Sequence, residues 1–254
     1  MELSVPVDGG EVWAEDAGGD GTPLVLMHPG WGDSTIWDPV LDRLDARRFR
    51  VIRYDARGYG RSPAPAAPYT QLGDLAAVLD HLGVRHAALV AHSGAGGPAI
   101  GLALAQPPRV SALVLVAPGV QDYPWPQDEP FGQQFGALFA AGDRDGLVEL
   151  GLRTWAAADA GPAARAQIRS AVATFFAQGS FERPDPPAYA RLGEVRAPSV
   201  LAVGDLEYPM VRECAERIAA GIPGCRLVVV PGADHLLPLR APGLLADLIS
   251  DTAG

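Results

Sequence analysis

Lysine is absent from this 254-residue chain, so all 20 of its basic side chains are arginine. No lysine Schiff base, and no lysine acid or base, is open to its chemistry. Cysteine is scarce as well, with Cys214 and Cys225 the only two. Without an export signal they read as free thiols, and they lack the further Cys and His partners of a zinc site. No metal and no cofactor is expected. No apolar run approaches the roughly 18 residues of a membrane span. The opening MELSVPVDGGEVWAEDAGG has neither the basic start nor the apolar centre of a signal peptide. Positive charge is outnumbered, 30 acidic residues giving a net charge of −10. Such a surface repels polyanions and argues against nucleic acid. The expectation is a cytoplasmic monomer or homodimer with no membrane partner.

What is present is a regular alternation. Six short runs rich in Val, Leu and Ile, at 22–28, 49–55, 86–92, 110–118, 197–205 and 225–232, do not alternate with polar residues. That pattern predicts strands of a parallel sheet covered on both faces. Helical periodicity fills 34–46, 70–83, 94–107, 209–221 and 240–250. Strand alternating with helix predicts a doubly wound α/β sheet. The opening LSVPVDGGEVWAED predicts an antiparallel hairpin on the sheet edge, turning at Gly9-Gly10, for eight strands in a mostly parallel sheet. The alternation breaks at the Pro-rich PWPQDEP, residues 124–130. Three helical patterns follow, at 131–142, 144–159 and 162–179, and ERPDPPAY ends them. A helical cap, residues 120–194, is therefore expected inside a core made of 1–119 and 195–254.

The stretch LVAHSGAGG crowds small residues around Ser93, between an expected strand and an expected helix. A chain that turns at once from strand to helix strains the corner residue, and its neighbours two before and two after must be small. Here these are Ala91 and Ala95. The pattern small-x-Ser-x-small is a form of the nucleophile elbow, at the strand end where open α/β sheets place ligands. A nucleophilic serine needs a base, and the base needs an acid to orient it. Of five histidines, His81 and His86 flank a helix–strand loop, His92 should point across the strand away from Ser93, and His28 ends a strand. His235, in VVVPGADHLLPL beyond the last strand, is the favoured base. Asp205 and Glu207 compete for the acid in LAVGDLEYP, with Asp122 a third candidate.

Taken together these segments resemble the α/β-hydrolase fold superfamily over nearly the whole chain. MHPGWGDSTIWDPV resembles its oxyanion loop, YDARGYGRS its D-x-R-G-x-G-x-S segment, and AHSGAGG its elbow. VGDLEYP and VPGADHLLPLRAP resemble its acid and histidine segments. The resemblance implies an acid three residues after the glycine, which ranks Glu207 first, Asp205 second and Asp122 third. It also implies an oxyanion hole of backbone N–H groups from Gly94 and from the 28–32 loop. Pro29 has no N–H, so Gly30 is preferred there and Trp31 follows. Arg57 and Asp55 are expected to tie loops together.

The activity implied is serine acyl transfer through an acyl-enzyme. Serine at the elbow argues against dehalogenases and epoxide hydrolases, which carry Asp there, and against dienelactone hydrolases, which carry Cys. The helical cap is expected to form a lid, with Trp31, Trp125, Phe135, Phe139 and Trp155 lining an apolar pocket. Residues 120–190 hold nine acids against five arginines, which disfavours CoA or carrier-protein thioesters. A small or medium neutral ester or lactone is the expected substrate. The alternatives are a thioesterase, a lyase or cyclase using His235 as base, or a non-hydrolytic small-molecule receptor.

Overall fold

The computed structural model describes residues 1–126, 129–177, 179 and 181–254. Residues 127, 128, 178 and 180, which belong to the Pro-rich break and the segment after the third cap helix, lie outside the described residues.

Eight strands form one sheet: β1 (Glu2–Val7), β2 (Gly10–Asp16), β3 (Thr22–Met27), β4 (Phe49–Tyr54), β5 (Ala87–His92), β6 (Val110–Val116), β7 (Ser199–Gly204) and β8 (Arg226–Val230). Their order is β1-β2-β4-β3-β5-β6-β7-β8. The β1–β2 and β2–β4 pairs are antiparallel and every later pair is parallel. The reversal of strand order at β3–β4 follows the doubly wound plan, and the central strands β5 and β7 are buried at every residue. This is the mostly parallel sheet that the apolar runs predict.

Nine helices complete the described fold: α1 (Asp38–Leu41), α2 (Gln71–His81), α3 (Gly96–Ala105), α4 (Glu129–Ala140), α5 (Arg144–Trp155), α6 (Pro162–Phe175), α7 (Pro209–Gly221), α8 (Leu237–Arg240) and α9 (Pro242–Ala253). The helices α4 to α6 are inserted between β6 and β7. Among the described residues no helix is long and apolar enough to cross a membrane.

Three local expectations need correction. The hairpin turns at Asp8-Gly9, because Val7 pairs with Gly10, and Gly9 takes the left-handed φ of 68° that the turn requires. The helix expected over 34–46 is a 3₁₀ turn, Ser34–Trp37, followed by the single turn of α1. After Leu41 the chain continues in i→i+3 bonds, Arg43 N–H to the Val40 carbonyl and Leu44 N–H to the Leu41 carbonyl, and Asp45 then opens a separate turn by accepting Arg47 N–H on its side chain. The last helical stretch divides at Ala241, which is non-helical because Pro242 follows it.

The YDARGYGRS segment is a buried knot. Asp55 accepts from Ser34 N–H at 2.8 Å and Arg61 N–H at 2.9 Å. Arg57, 1 % exposed, holds Asp74 of α2 with two bonds of 2.7 Å and donates to the Asp8 carbonyl in the hairpin turn. The pair joins hairpin, β4 exit and α2, as expected for a structural role.

Candidate active site

Strand β5 ends at His92, and the chain passes through one 3₁₀ turn, Ser93–Ala95, into α3. Ser93 has a φ of 57°, a left-handed conformation that costs a residue with a side chain about 1–2 kcal/mol. The turn is this sharp because Gly119 N–H bonds the Ser93 carbonyl at 2.8 Å, drawing the corner against the β6 exit. Ala91 and Ala95 are buried beside it. A Cβ on Gly96 would stand 2.5 Å from the Gly119 carbonyl oxygen and 2.7 Å from Pro118 Cβ, so only glycine lets α3 start there. The crowding of small residues around Ser93 is thus a steric condition of the corner.

His235 leaves β8 on a loop and reaches Ser93. Its Nε2 lies 2.9 Å from Ser93 Oγ and its Nδ1 lies 2.8 Å from Glu207 Oε2. Glu207 and His235 are completely buried as side chains, at 0 % and 1 % exposure. The carboxylate only accepts, so Nδ1 carries the proton and Nε2 presents its lone pair to the serine hydroxyl. Glu207 Oε1 accepts Tyr208 N–H at 2.8 Å, which fixes the second oxygen. Gly204, where β7 ends, must lack a side chain, since a Cβ would meet the Ala233 carbonyl oxygen at 1.9 Å. That contact brings the β7 exit and the His235 loop together. Asp205 is exposed and accepts Gly232 N–H at 2.7 Å, bracing the same loop. Asp122 is exposed at a φ of 67°, and no hydrogen bond joins it to His235 among the described residues. Of three candidate carboxylates, the structure brings only Glu207 to the imidazole.

His92 and His28 do work that sequence reasoning missed. His92 is fully buried below the corner, and its Nε2 donates to the His235 carbonyl at 2.7 Å. Its pKa is lowered well below the usual histidine value, chiefly by burial and also by the neighbouring His235. Unfolded His92 takes a proton below about pH 6.5 and the folded residue does not, so stability is present above that pH and lost as pH falls through it. His92→Gln is expected to flatten the pH dependence of unfolding free energy between about pH 5 and 6.5 by up to about 1 kcal/mol per pH unit. Urea melts at several pH values measure it, and an unchanged slope would contradict the assignment.

His28 accepts Ala56 N–H on Nε2 at 2.9 Å, so its Nδ1 is protonated and donates to the Pro29 carbonyl at 2.8 Å. A trans peptide places C=O and N–H on opposite sides. Pinning the Pro29 carbonyl therefore directs the Gly30 N–H away from His28. Gly94 is exposed at the start of the turn, with open space where a Cβ would stand.

The five rings expected in one pocket divide in two. Trp31 packs edge-on against Phe135 and Phe175 and lies 5.9 Å from Trp155, whose ring sits 4.8 Å from that of His235. Phe139 stacks on Phe135 at the outer end of this cluster, 40 % exposed. Trp125 stands apart against Tyr123 and Gly119. It lines a cleft of about 250 Å³ with Gly94, Gly97, Val120, Gln121, Glu182 and Asp185. Phe131, Phe135 and Phe175 on α4 and α6 pack against Trp31, whereas the cleft that Trp125 lines lies along the start of α3. Among the described residues no group of three His, Cys, Asp or Glu side chains is arranged to hold a metal ion.

The sequence model of the alpha/beta hydrolase family matches residues 24–248. A RutD protein of Variovorax paradoxus, provisionally named a carbamate hydrolase, is 29 % identical over 236 residues, 85 % of each chain. A hydrolase from Pseudomonas aeruginosa superposes with a TM-score of 0.79 at 28 % identity, covering 100 % of this chain and 98 % of that one. The carboxylesterase CesB of Bacillus subtilis superposes with a TM-score of 0.82 over 99 % of this chain and 90 % of its own, and at 22 % identity it speaks to the fold alone.

Proposed function

Because the chain belongs to the alpha/beta hydrolase family, we propose that it is a serine hydrolase of neutral carboxylic esters or lactones. The observation that carries this reading is the continuous relay from Ser93 Oγ through His235 to the buried Glu207, with both links under 3 Å. In this mechanism His235 Nε2 takes the Ser93 proton as Oγ attacks the carbonyl carbon. Glu207 holds the Nδ1 proton and stabilises the imidazolium that forms. The N–H groups of Gly94 and of Gly30, with Trp31 beside it, receive the oxyanion, each donor being worth about 10²–10³ in rate. His235 then returns the proton to the leaving alkoxide, and a water molecule activated by the same imidazole releases the acyl group. Helices α4 to α6 act as the lid, whose aromatic cluster with Trp31 keeps water from the imidazole.

The cleft beside Gly94 supports the substrate class. Gln71, Gln121, Glu182 and Asp185 line it, and among the described residues no arginine does. Burial and the nearby carboxylates of Glu182 and Asp74 raise the Asp185 pKa. Such walls accept hydrogen bonds and repel a carboxylate substrate. At low salt, kcat/KM for 4-nitrophenyl butyrate is expected to exceed that for the hemisuccinate ester at least about tenfold, and the gap should narrow at about 1 M salt. Equal values at low salt would remove the charge argument. Incubation with a fluorophosphonate and peptide mapping test the reading itself. Labelling confined to Ser93 is the expected result. An unlabelled protein whose melting point rises on binding a lactone would indicate a receptor instead.

A further inference from the structure

Asp234, the residue before His235, is 1 % exposed and engages both carboxylate oxygens. Its Oδ1 accepts from Leu236 N–H at 3.0 Å and from Arg240 Nε at 2.9 Å. Its Oδ2 accepts from Arg240 Nη2 at 2.9 Å and from Ala158 N–H at 2.9 Å. Ala158 belongs to the connector between α5 and α6, so this last bond crosses from the histidine loop to the helical insertion. Arg240 crosses at the same place, its Nη2 donating to the Asp159 carbonyl at 2.6 Å. Three residues before Ala158, Trp155 ends α5 with its ring against that of His235.

We propose that Asp234 is a positioning residue for His235, a clamp that fastens the histidine loop to the α5–α6 connector so that imidazole and roof are placed as one unit. The inference rests on the serine-hydrolase reading above. The other anchors of His235 come from the sheet side: Glu207 holds Nδ1, and His92 holds the carbonyl. Neither reaches the insertion. The clamp grips His235 on both flanks, at the Asp234 side chain and at the Leu236 N–H, in a segment outside any strand or helix. Without the carboxylate, two amides lose their acceptor, and the guanidinium of Arg240, only 11 % exposed, loses the nearer of its two carboxylate partners and keeps only the exposed Asp159 at 3.6 Å. The loop would then be free to shift on the scale at which proton transfer from Ser93 fails. A fixed α5 roof also implies that substrate enters along the cleft at Gly94 and Trp125, with no lifting of Trp155.

The test uses the full-length protein with three readouts: kcat and KM on 4-nitrophenyl butyrate, the rate of Ser93 labelling by a fluorophosphonate, and Tm. Asp234→Asn keeps the size of the side chain and one acceptor but ends the ion pair. It is expected to lower kcat about tenfold, with KM within about twofold and the labelling rate falling in step with kcat. Arg240→Lys keeps the charge but loses the two-nitrogen grip, and is expected to lower kcat and labelling together by about threefold. Should Asp234→Asn fail to fold, Arg240→Lys carries the test alone. A lowered Tm with wild-type kcat and labelling rate per folded molecule would make the clamp structural only and overturn the proposal. A wild-type chain whose Ser93 takes no label would remove the serine-hydrolase reading first, and that outcome is read before any variant is made.

Discussion

Ser93→Ala is expected to lower kcat for 4-nitrophenyl butyrate by about 10⁴-fold or more, leaving only what binding and the oxyanion donors supply. The loss follows from geometry: among the described residues the Ser93 hydroxyl is the side-chain group that hydrogen-bonds His235 Nε2. Cys214 is buried and its thiol is pushed up to about 12 by that burial, and Cys225, pushed up to about 11, lies in the turn before β8. The fold should survive the change, because the methyl group of alanine fits a side chain that is only half-buried. Ser93→Gly should be equally inactive and should melt above Ser93→Ala, since glycine relieves the left-handed strain that alanine retains. Steady-state kinetics and thermal melts of the two variants check both statements. Turnover within tenfold of wild type in either would show that another group does the chemistry.

Glu207→Gln carries the second large effect. A glutamine in place of the carboxylate can offer an N–H to Nδ1, which favours the tautomer with its proton on Nε2, where it blocks the base. In a serine protease the equivalent change costs about 10⁴-fold in kcat, and a loss of about 10³–10⁴-fold is expected here. Asp205→Asn serves as the comparison. Asp205 is exposed and its contact is to the Gly232 N–H, which an asparagine oxygen can still accept, so a change of less than about threefold is expected. Kinetics of the two variants side by side decide the acid. A large loss in Asp205→Asn with little in Glu207→Gln would reverse the assignment.

Much of this arrangement is legible in the sequence. The apolar runs place all six parallel strands to within about two residues of their observed ends; β5 and β7, buried at every residue, have no polar alternation to obscure them, whereas the edge strand β8 is exposed at three of its five residues and is legible from its apolar run alone. The corner at Ser93 is legible because a tight turn imposes small neighbours in the immediate sequence. The failures are equally physical. The 34–46 stretch has a helical period, but its backbone forms 3₁₀-type i→i+3 bonds on both sides of the single α-turn. The ring set Trp31, Trp125, Phe135, Phe139 and Trp155 has the composition of a pocket, yet composition does not say which rings pack upon one another and which are left facing open space. His92 carried a signal, a polar residue at the end of an otherwise apolar strand, but its partner is a carbonyl 143 residues away.

The sequence by itself determined the order of strands and helices, the strained turn that raises Ser93, and the short set of candidate acids and bases, because each depends on steric and hydrogen-bonding rules acting between near neighbours. Only the tertiary structure decided that Glu207 and not Asp205 meets His235, that His92 bonds the carbonyl of that histidine and Asp234 bonds the N–H of Leu236 beside it, and that Trp125 stands apart from the other rings. Those outcomes depend on contacts such as the one across 142 residues from His235 to Ser93. Two carboxylates two positions apart would share a face in an extended strand; past the end of β7 the turn at Asp205 and Leu206 separates them, leaving Asp205 exposed and Glu207 buried.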